Sequence, residues 1–146
     1  MQERHSNRKQ YFDEQGLTTA KHVIPYLADL KTIDANTSIL EIGCGEAGNL
    51  KPFLDMGYRC VGIDISEGRI SNGKKFFAGH PHEDKLELIA EDIYDTESPE
   101  EFDIIISRDV IEHIPNQEVF MERCRDFMKP DGLYFIGFPP WHNPIK

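Results

Sequence analysis

The residues best suited to chemistry lie where a short apolar segment of the chain runs into closely spaced glycines. Residues 39–42 are apolar except for one acid, Glu41. The turn that follows contains Gly43, Cys44, Gly45 and Gly48. Such a segment is typical of a buried parallel strand that ends in a tight turn, where glycine lets the backbone pass close to a ligand. We therefore expect a nucleotide-like cofactor at this turn.

The charge of Glu41 helps to distinguish between the cofactors that this spacing allows. Gly43, Gly45 and Gly48 also match the dinucleotide pattern G-x-G-x-x-G, so the spacing alone does not decide which nucleotide binds. A carboxylate beside the turn repels a pyrophosphate, whereas it attracts the ammonium group of a methionine moiety. Glu41 therefore favours S-adenosylmethionine over NAD.

Two further strand-like segments end close to acids that suit the same cofactor. Asp64 is a candidate to accept hydrogen bonds from both ribose hydroxyls. Asp92 is a candidate to accept one from the adenine amino group, with a turn or helix cap as its alternative role. Ile65 and Ile93, each next to one of these acids, are expected to sandwich the adenine ring.

A fourth strand-like segment, residues 102–108, runs into a loop that contains Glu112, His113 and Ile114. Over roughly residues 37–138, the chain thus resembles the class I S-adenosylmethionine-dependent methyltransferases of the small-molecule type. Those enzymes carry an E-x-G-x-G turn and an E-H-I or E-H-V segment after strand four. The resemblance implies in-line methyl transfer to a small-molecule acceptor, with S-adenosylhomocysteine as the product.

The same resemblance implies roles for residues near the methionine end of the cofactor. Arg108 occupies a position where the family usually places a backbone carbonyl near that end, so its position matters more than its side chain. His113 is the first candidate for a general base, with Asp109 and Tyr11 behind it, and a purely structural role is its alternative. His80 and His82 resemble a metal-ligand pair only in isolation, so we expect an exposed loop and no metal site.

The elements that must position these residues alternate between helical and strand patterns. Strands separated by helices predict an α/β fold, a Rossmann-like doubly wound and mostly parallel sheet with helices on both faces. Pro25 is expected to bend or divide an N-terminal helix, and Ser66 to cap a later one. The last helix is predicted over residues 118–128, followed by a turn at residues 129–132 and a fifth strand from Leu133.

The division of the chain follows from this pattern and from the resemblance. Residues 1–36 are expected to form covering helices and residues 37–146 the S-adenosylmethionine-binding core. The family usually adds strands six and seven, so the core is expected to be truncated at its C-terminus. We then expect the cofactor half of the site to be complete and methyl transfer to be poor. An open sheet edge would also invite association, and the oligomeric state is not predicted.

Composition restricts the function further. Sixteen basic residues against 26 acidic ones give a net charge of −10, which makes nucleic acid an improbable partner. Three cysteines without a C-x-x-C pair suggest reduced thiols, and no segment resembles a signal peptide or a membrane span, so a cytoplasmic protein is expected. Two alternatives stay open: a cofactor-binding domain without catalysis and, less favoured, an NAD-dependent oxidoreductase.

Overall fold

The protein is built around one five-stranded parallel sheet. The computed structural model describes residues 7–97, 100–108 and 110–137. Its strands are β1 (Ser38–Ile42), β2 (Arg59–Asp64), β3 (Leu86–Ala90), β4 (Phe102–Arg108) and β5 (Met128–Gly137). Their order is β3-β2-β1-β4-β5 and all pairs are parallel. The chain winds outward from β1 to β3 and then returns beside β1, so the direction of winding reverses between β1 and β4. A crevice for a ligand is expected at that reversal.

Five α-helices connect or cover the strands in the described part of the chain. They are α1 (Arg8–Thr18), α2 (Ile24–Leu30), α3 (Lys51–Asp55), α4 (Glu67–Phe77) and α5 (Gln117–Arg125). A π-helical turn joins α1 to α2, and Pro25 lies in the first turn of α2, so Pro25 marks a helix boundary as predicted. Ser66 caps α4 by accepting a hydrogen bond from the backbone N of Arg69 at 3.2 Å. None of the described helices is long and apolar enough to cross a membrane.

Two apolar cores cover the two faces of the sheet. In β1, Ile39 packs into a core with residues of α1, α2, α3 and α4, whereas its neighbour Leu40 packs with residues of α5. This alternation is expected of a strand covered on both faces. The predicted doubly wound α/β class is therefore confirmed. Cys44, Cys60 and Cys124 are free and buried.

The predicted boundary between the last helix and the fifth strand is wrong. Helix α5 ends at Arg125 and β5 begins at Met128, before the expected turn. Phe102 pairs with Met128 but Ile104 pairs with Leu133, so the residues between them on β5 form an irregularity in the ladder. Pairing with β4 therefore begins before the Lys-Pro-Asp-Gly turn, which is accommodated within the strand as a bulge.

Candidate functional site

An open pocket of about 450 Å³ lies at the carboxyl ends of β1, β2 and β4, with α1 along one wall. The predicted site residues that line it are Glu41, Gly43, Cys44, Gly45, Asp64, Arg108 and His113. Its other lining residues include Arg8, Tyr11, Glu46, Asn49 and Arg69. The pocket thus lies where a parallel sheet with this winding is expected to bind a ligand.

The glycine turn forms the floor of the pocket in a conformation that excludes side chains. Gly43 and Gly45 have φ angles of 73° and 57°. A Cβ added to Gly43 would lie 2.5 Å from Cγ2 of Val110. A side chain at this position would therefore clash with Val110, and its positive φ angle also favours glycine. The backbone N–H groups of Gly43 and Cys44 both donate to the carbonyl of Ile63, which fixes the turn against β2.

Asp64 is held at the end of β2 by two backbone hydrogen bonds. Its Oδ2 accepts from the backbone N of Gly45 and its Oδ1 from the backbone N of Ser66, each at 2.8 Å. The carboxylate therefore ties the glycine turn to the start of α4. Because a carboxylate oxygen can accept more than one hydrogen bond, both atoms keep capacity for a ligand.

Glu41 is a buried acid with only one of its two oxygens paired. Its side chain is 2% exposed, and Oε2 accepts a hydrogen bond from Nδ2 of Asn49 at 2.9 Å. Oε1 is buried and has no hydrogen-bond partner among the described residues. Burial raises the pKa of Glu41 to about 8, against the opposing effects of the Asn49 hydrogen bond and the charge of Arg108. Such an atom is suited to a cationic donor from a ligand.

Asn49 connects three elements around Glu41 and was missed by the sequence analysis. Its Oδ1 accepts from Oγ1 of Thr19 at 2.7 Å and from Nη1 of Arg108 at 3.3 Å. Thr19 and Asn49 are both buried. We call Thr19, Glu41, Asn49 and Arg108 the amide cluster. An amide directly after the glycine turn, beside buried apolar residues, was the one local signal in the sequence.

A second missed contact ties α1 to the glycine turn. Nε of Arg8 donates to Oε2 of Glu46 at 2.7 Å, and Nη2 of Arg8 donates to Oε1. Glu46 is 3% exposed, so this is a two-pronged ion pair with one buried partner. The hydrogen bond from Arg8 to Glu46 raises the pKa of the arginine above its ordinary value. The 38 residues that separate the partners hide this pair from local sequence patterns.

Three of the predicted cofactor residues lie outside the pocket lining. Ile65 is 73% exposed, whereas Ile93 is buried in the core beneath α5. Asp92 forms a turn in which its Oδ1 accepts from the backbone N of Tyr94 at 3.0 Å. The structure thus shows Asp92 in the alternative role named for it, and its contact with a cofactor stays a prediction.

Two of the three candidates for a general base line the pocket. His113 lies at the rim with its side chain 77% exposed, and Nε2 is 3.6 Å from Oε1 of Glu112. Tyr11 lines the α1 wall, and Asp109 lies outside the described residues. At the surface, Nε2 of His80 donates to Oδ1 of Asp55 at 2.7 Å. In the described residues no group of three or more metal-ligating side chains comes together.

Comparison with known proteins decides the family. Residues 40–136 match the family model described as a methyltransferase domain. The chain belongs to this family. It is 34% identical over 100 residues to a ubiquinone biosynthesis O-methyltransferase of Mesorhizobium japonicum. That match covers 68% of the chain but 39% of the relative, so the chain spans about two fifths of the length of the curated relatives it matches.

Solved structures of methyltransferases share the fold. PKMT2 from Rickettsia typhi, in complex with AdoHcy, superposes with a TM-score of 0.70 at 27% identity, covering 77% of the chain and 24% of PKMT2. The glycopeptide N-methyltransferase MtfA, complexed with sinefungin, superposes with a TM-score of 0.66 at 18% identity. That match covers 77% of the chain and 47% of MtfA, and it supports the fold assignment alone.

Proposed function

We propose that this methyltransferase domain binds S-adenosylmethionine and transfers its methyl group to a small-molecule acceptor. The observation that carries the proposal is the buried, unpartnered Oε1 of Glu41 beside a glycine turn. A pyrophosphate would place negative charge against this acid, whereas an α-ammonium group would supply the missing donor. The NAD-dependent alternative is disfavoured for the same reason.

The residues of the pocket fit this cofactor. Gly43 and Gly45 leave the floor without side chains, and Asp64 offers acceptors for two ribose hydroxyls. Cys44 supplies backbone between the two glycines. We retain Asp92, Ile65 and Ile93 as candidates for the adenine side because they follow β2 and β3 at the edge of the sheet that carries the pocket.

The chain's own residues have to bind and orient the reactants. When bound, S-adenosylmethionine supplies an electrophilic methyl group on a sulfonium sulfur. The glycine turn, Glu41 and Asp64 would fix one reactant, and Tyr11 of α1 lines the same pocket, where it can contact the other. Alignment of this kind provides much of the acceleration of a bimolecular transfer. His113 and Tyr11 are the pocket residues that would take a proton from an acceptor that must lose one.

A small-molecule acceptor is the class that the supporting observations favour. The net charge of −10 opposes binding of a phosphate backbone. The Mesorhizobium japonicum relative is a ubiquinone biosynthesis O-methyltransferase.

The test combines binding and turnover. Isothermal titration with S-adenosylhomocysteine and with NAD is expected to give measurable binding of the first and a much weaker response to the second. A methyl-transfer assay with labelled S-adenosylmethionine and a panel of small phenols, amines and acids then tests activity. Tighter binding of NAD would overturn the cofactor assignment. Binding of S-adenosylhomocysteine without transfer to any acceptor would favour the non-catalytic alternative.

A further inference from the structure

The amide of Asn49 holds an acid and a base on its two sides. Nδ2 donates to Oε2 of Glu41, and Oδ1 accepts from Nη1 of Arg108. The opposite orientation of the amide would set its oxygen against a carboxylate and its NH₂ group against a guanidinium. Only one orientation therefore satisfies both neighbours, and in that orientation the Thr19 hydroxyl donates to the same Oδ1.

The side chain of Arg108 is directed into this arrangement by its neighbours. It leaves the end of β4, whose residue Ile106 pairs with Glu41 of β1. On its other side, a Cβ added to Gly137 of β5 would lie 3.2 Å from Cγ and 3.3 Å from Nε of Arg108. The glycine thus leaves room for the arginine across the strand ends. The described residues give the guanidinium one hydrogen bond, to Asn49, while a guanidinium carries five N–H donors.

Charge complementarity connects these observations to a ligand. An α-amino acid end carries an ammonium and a carboxylate on one carbon atom. The amide cluster contains a carboxyl oxygen without a partner among the described residues and a guanidinium with spare donors, and the amide of Asn49 lies between them. We propose that Glu41 binds the α-ammonium of the cofactor while Arg108, positioned by Asn49, binds the α-carboxylate and so selects cofactors with an intact amino acid end. This inference rests on the proposed function and assigns a role to the side chain of Arg108.

The other two arginines of the pocket are less suited to this role. Arg8 already makes a two-pronged ion pair with Glu46. Arg69 lies at the other side of the turn, where its Cδ would be 3.9 Å from a Cβ on Gly45, the residue that donates to Asp64. Arg69 therefore adjoins the carboxylate proposed to bind the ribose. Arg108 is the pocket arginine that shares Asn49 with Glu41.

The experiment removes the carboxylate from the ligand and the guanidinium from the protein. Isothermal titration is done with S-adenosylhomocysteine, with its decarboxylated analogue and with 5′-methylthioadenosine, which lacks the whole amino acid end. Wild type is expected to bind S-adenosylhomocysteine about tenfold to a hundredfold more tightly than the decarboxylated analogue, as expected of a charge-assisted, forked hydrogen-bond pair. In Arg108→Met this ratio should fall to about threefold or less, with binding of the decarboxylated analogue retained.

Two further variants separate this role from a general effect of charge. Arg69→Met removes a positive charge from the same pocket and is expected to keep the preference for the carboxylate. Arg108→Lys keeps the charge but loses the planar fork, so an intermediate preference is expected. A preference that survives Arg108→Met, or that disappears in Arg69→Met, overturns the assignment.

Wild type alone provides a test that does not depend on folding of a variant. Equal affinity for S-adenosylhomocysteine and its decarboxylated analogue would overturn the role of Arg108 and leave the proposed function standing. Absence of binding to S-adenosylhomocysteine, to S-adenosylmethionine and to 5′-methylthioadenosine would instead overturn the proposed function itself.

Discussion

At the scale of single residues, Glu41 combines a cost to the fold with the role in cofactor binding that we propose for it. The side chain is fully buried, and its second oxygen lacks a partner among the described residues. Burial without full hydrogen bonding favours the neutral acid, which is why its pKa rises to about 8. The ionised form becomes favourable once a cation lies against Oε1. A group of this kind is expected at a binding site rather than in a core selected for stability alone.

Glu41→Gln should therefore stabilise the free protein at alkaline pH. The folded protein retains a proton on Glu41 between the ordinary carboxyl pKa of 4.5 and about 8, whereas the unfolded chain loses it. The free energy of unfolding of wild type thus falls as pH rises through this window, and the glutamine variant lacks this loss. In thermal unfolding experiments from pH 5 to pH 8.5, the melting temperature of the variant should exceed that of wild type by an amount that grows as the pH rises.

The control for this change is Glu122→Gln, which alters an exposed acid on α5. Its melting temperature should follow that of wild type across the same pH range. The affinity for the cofactor should fall in Glu41→Gln, because a glutamine side chain has no negative charge to pair with the ammonium group. A glutamine variant that binds S-adenosylhomocysteine as tightly as wild type, with no gain in stability at pH 8.5, would contradict both parts.

Asp64→Ala should weaken binding of S-adenosylhomocysteine by several-fold to about a hundredfold. The change removes the acceptors that we propose for two ribose hydroxyls. Charge-assisted hydrogen bonds contribute roughly 1.5 to 3 kcal/mol each, and water replaces part of this. It also frees the backbone N of Gly45 and of Ser66. Asp64→Asn is the matched variant, since it keeps the shape with a weaker acceptor, and titration should place it between wild type and Asp64→Ala. Unchanged affinity in both variants would mean that the ribose does not bind at the end of β2.

The sequence predicts those site residues whose signals are local. Glu41, Gly43 and Asp64 lie at ends of apolar segments, where strand periodicity and turn chemistry apply within a few residues. Asn49 acts through partners 30 and 59 residues away, at Thr19 and Arg108, so its role depends on how the elements assemble. The local sequence shows an amide after the glycine turn but does not show which residues it contacts.

At the scale of elements, both an ion pair and apolar packing hold α1 against the glycine turn and the core. A Cβ added to Gly48 would lie 2.5 Å from the backbone O of Phe12, so the absence of a side chain allows α1 to approach the turn closely. Phe12 itself is 1% exposed and packs edge-on to Phe77 with ring centroids 5.1 Å apart. The third glycine of the G-x-G-x-x-G pattern thus serves helix packing here. The pattern alone could not distinguish this use from contact with a cofactor.

Arg8→Met should loosen α1 and destabilise the protein by about 1 to 3 kcal/mol, because it leaves the buried Glu46 without its cation. Urea unfolding measures the loss, and hydrogen exchange should locate it in α1. Lys51→Met is the matched control, since it breaks a more exposed pair with Asp55 that is expected to contribute about 0.3 to 0.5 kcal/mol.

The double variant with Arg8→Met and Glu46→Gln tests the physical reason for that loss. Removing the charge of Glu46 should recover part of the stability, because the neutral amide has a smaller desolvation cost in the same place. Equal losses for Arg8→Met and Lys51→Met, with no recovery in the double variant, would mean that the Arg8 pair has no special role in holding α1.

Helices and strands could be predicted where the pattern of apolar residues shows which part of a segment is buried. The prediction failed at the start of β5, where pairing with another strand outweighs the local preference for a turn. The strand pattern and the cap at Ser66 were predictable because they depend on neighbours in sequence. The start of β5 was not, because Met128 joins the sheet through Phe102 of β4. Turn residues predict where a chain can bend, and the adjacent strand decides whether it stays in the ladder.

At the scale of the whole molecule, cofactor binding should be visible as a shift in melting temperature. A ligand that binds only the folded state, at 100 times its Kd, stabilises that state by about 2.7 kcal/mol. For a chain of this size the shift is then about 5 to 10 °C. Differential scanning fluorimetry with S-adenosylhomocysteine should show it, and NAD at the same concentration should give about 1 °C or less. Equal shifts with both nucleotides would contradict the selectivity assigned to Glu41.

The distribution of charge predicts that the protein does not bind RNA or DNA strongly at physiological salt. A net charge of −10 opposes a phosphate backbone unless basic residues cluster, and three arginines do line the pocket. Four acids line the same pocket, namely Glu14, Glu41, Glu46 and Asp64, and one of the arginines is paired with Glu46. The arginines therefore form no uncompensated basic surface. Fluorescence anisotropy with labelled RNA and DNA at 150 mM salt should give a Kd weaker than about 10⁻⁴ M, the weak end of non-specific binding. Micromolar binding that falls steeply with added salt would show a basic surface outside the pocket and would reopen nucleic acid as the acceptor.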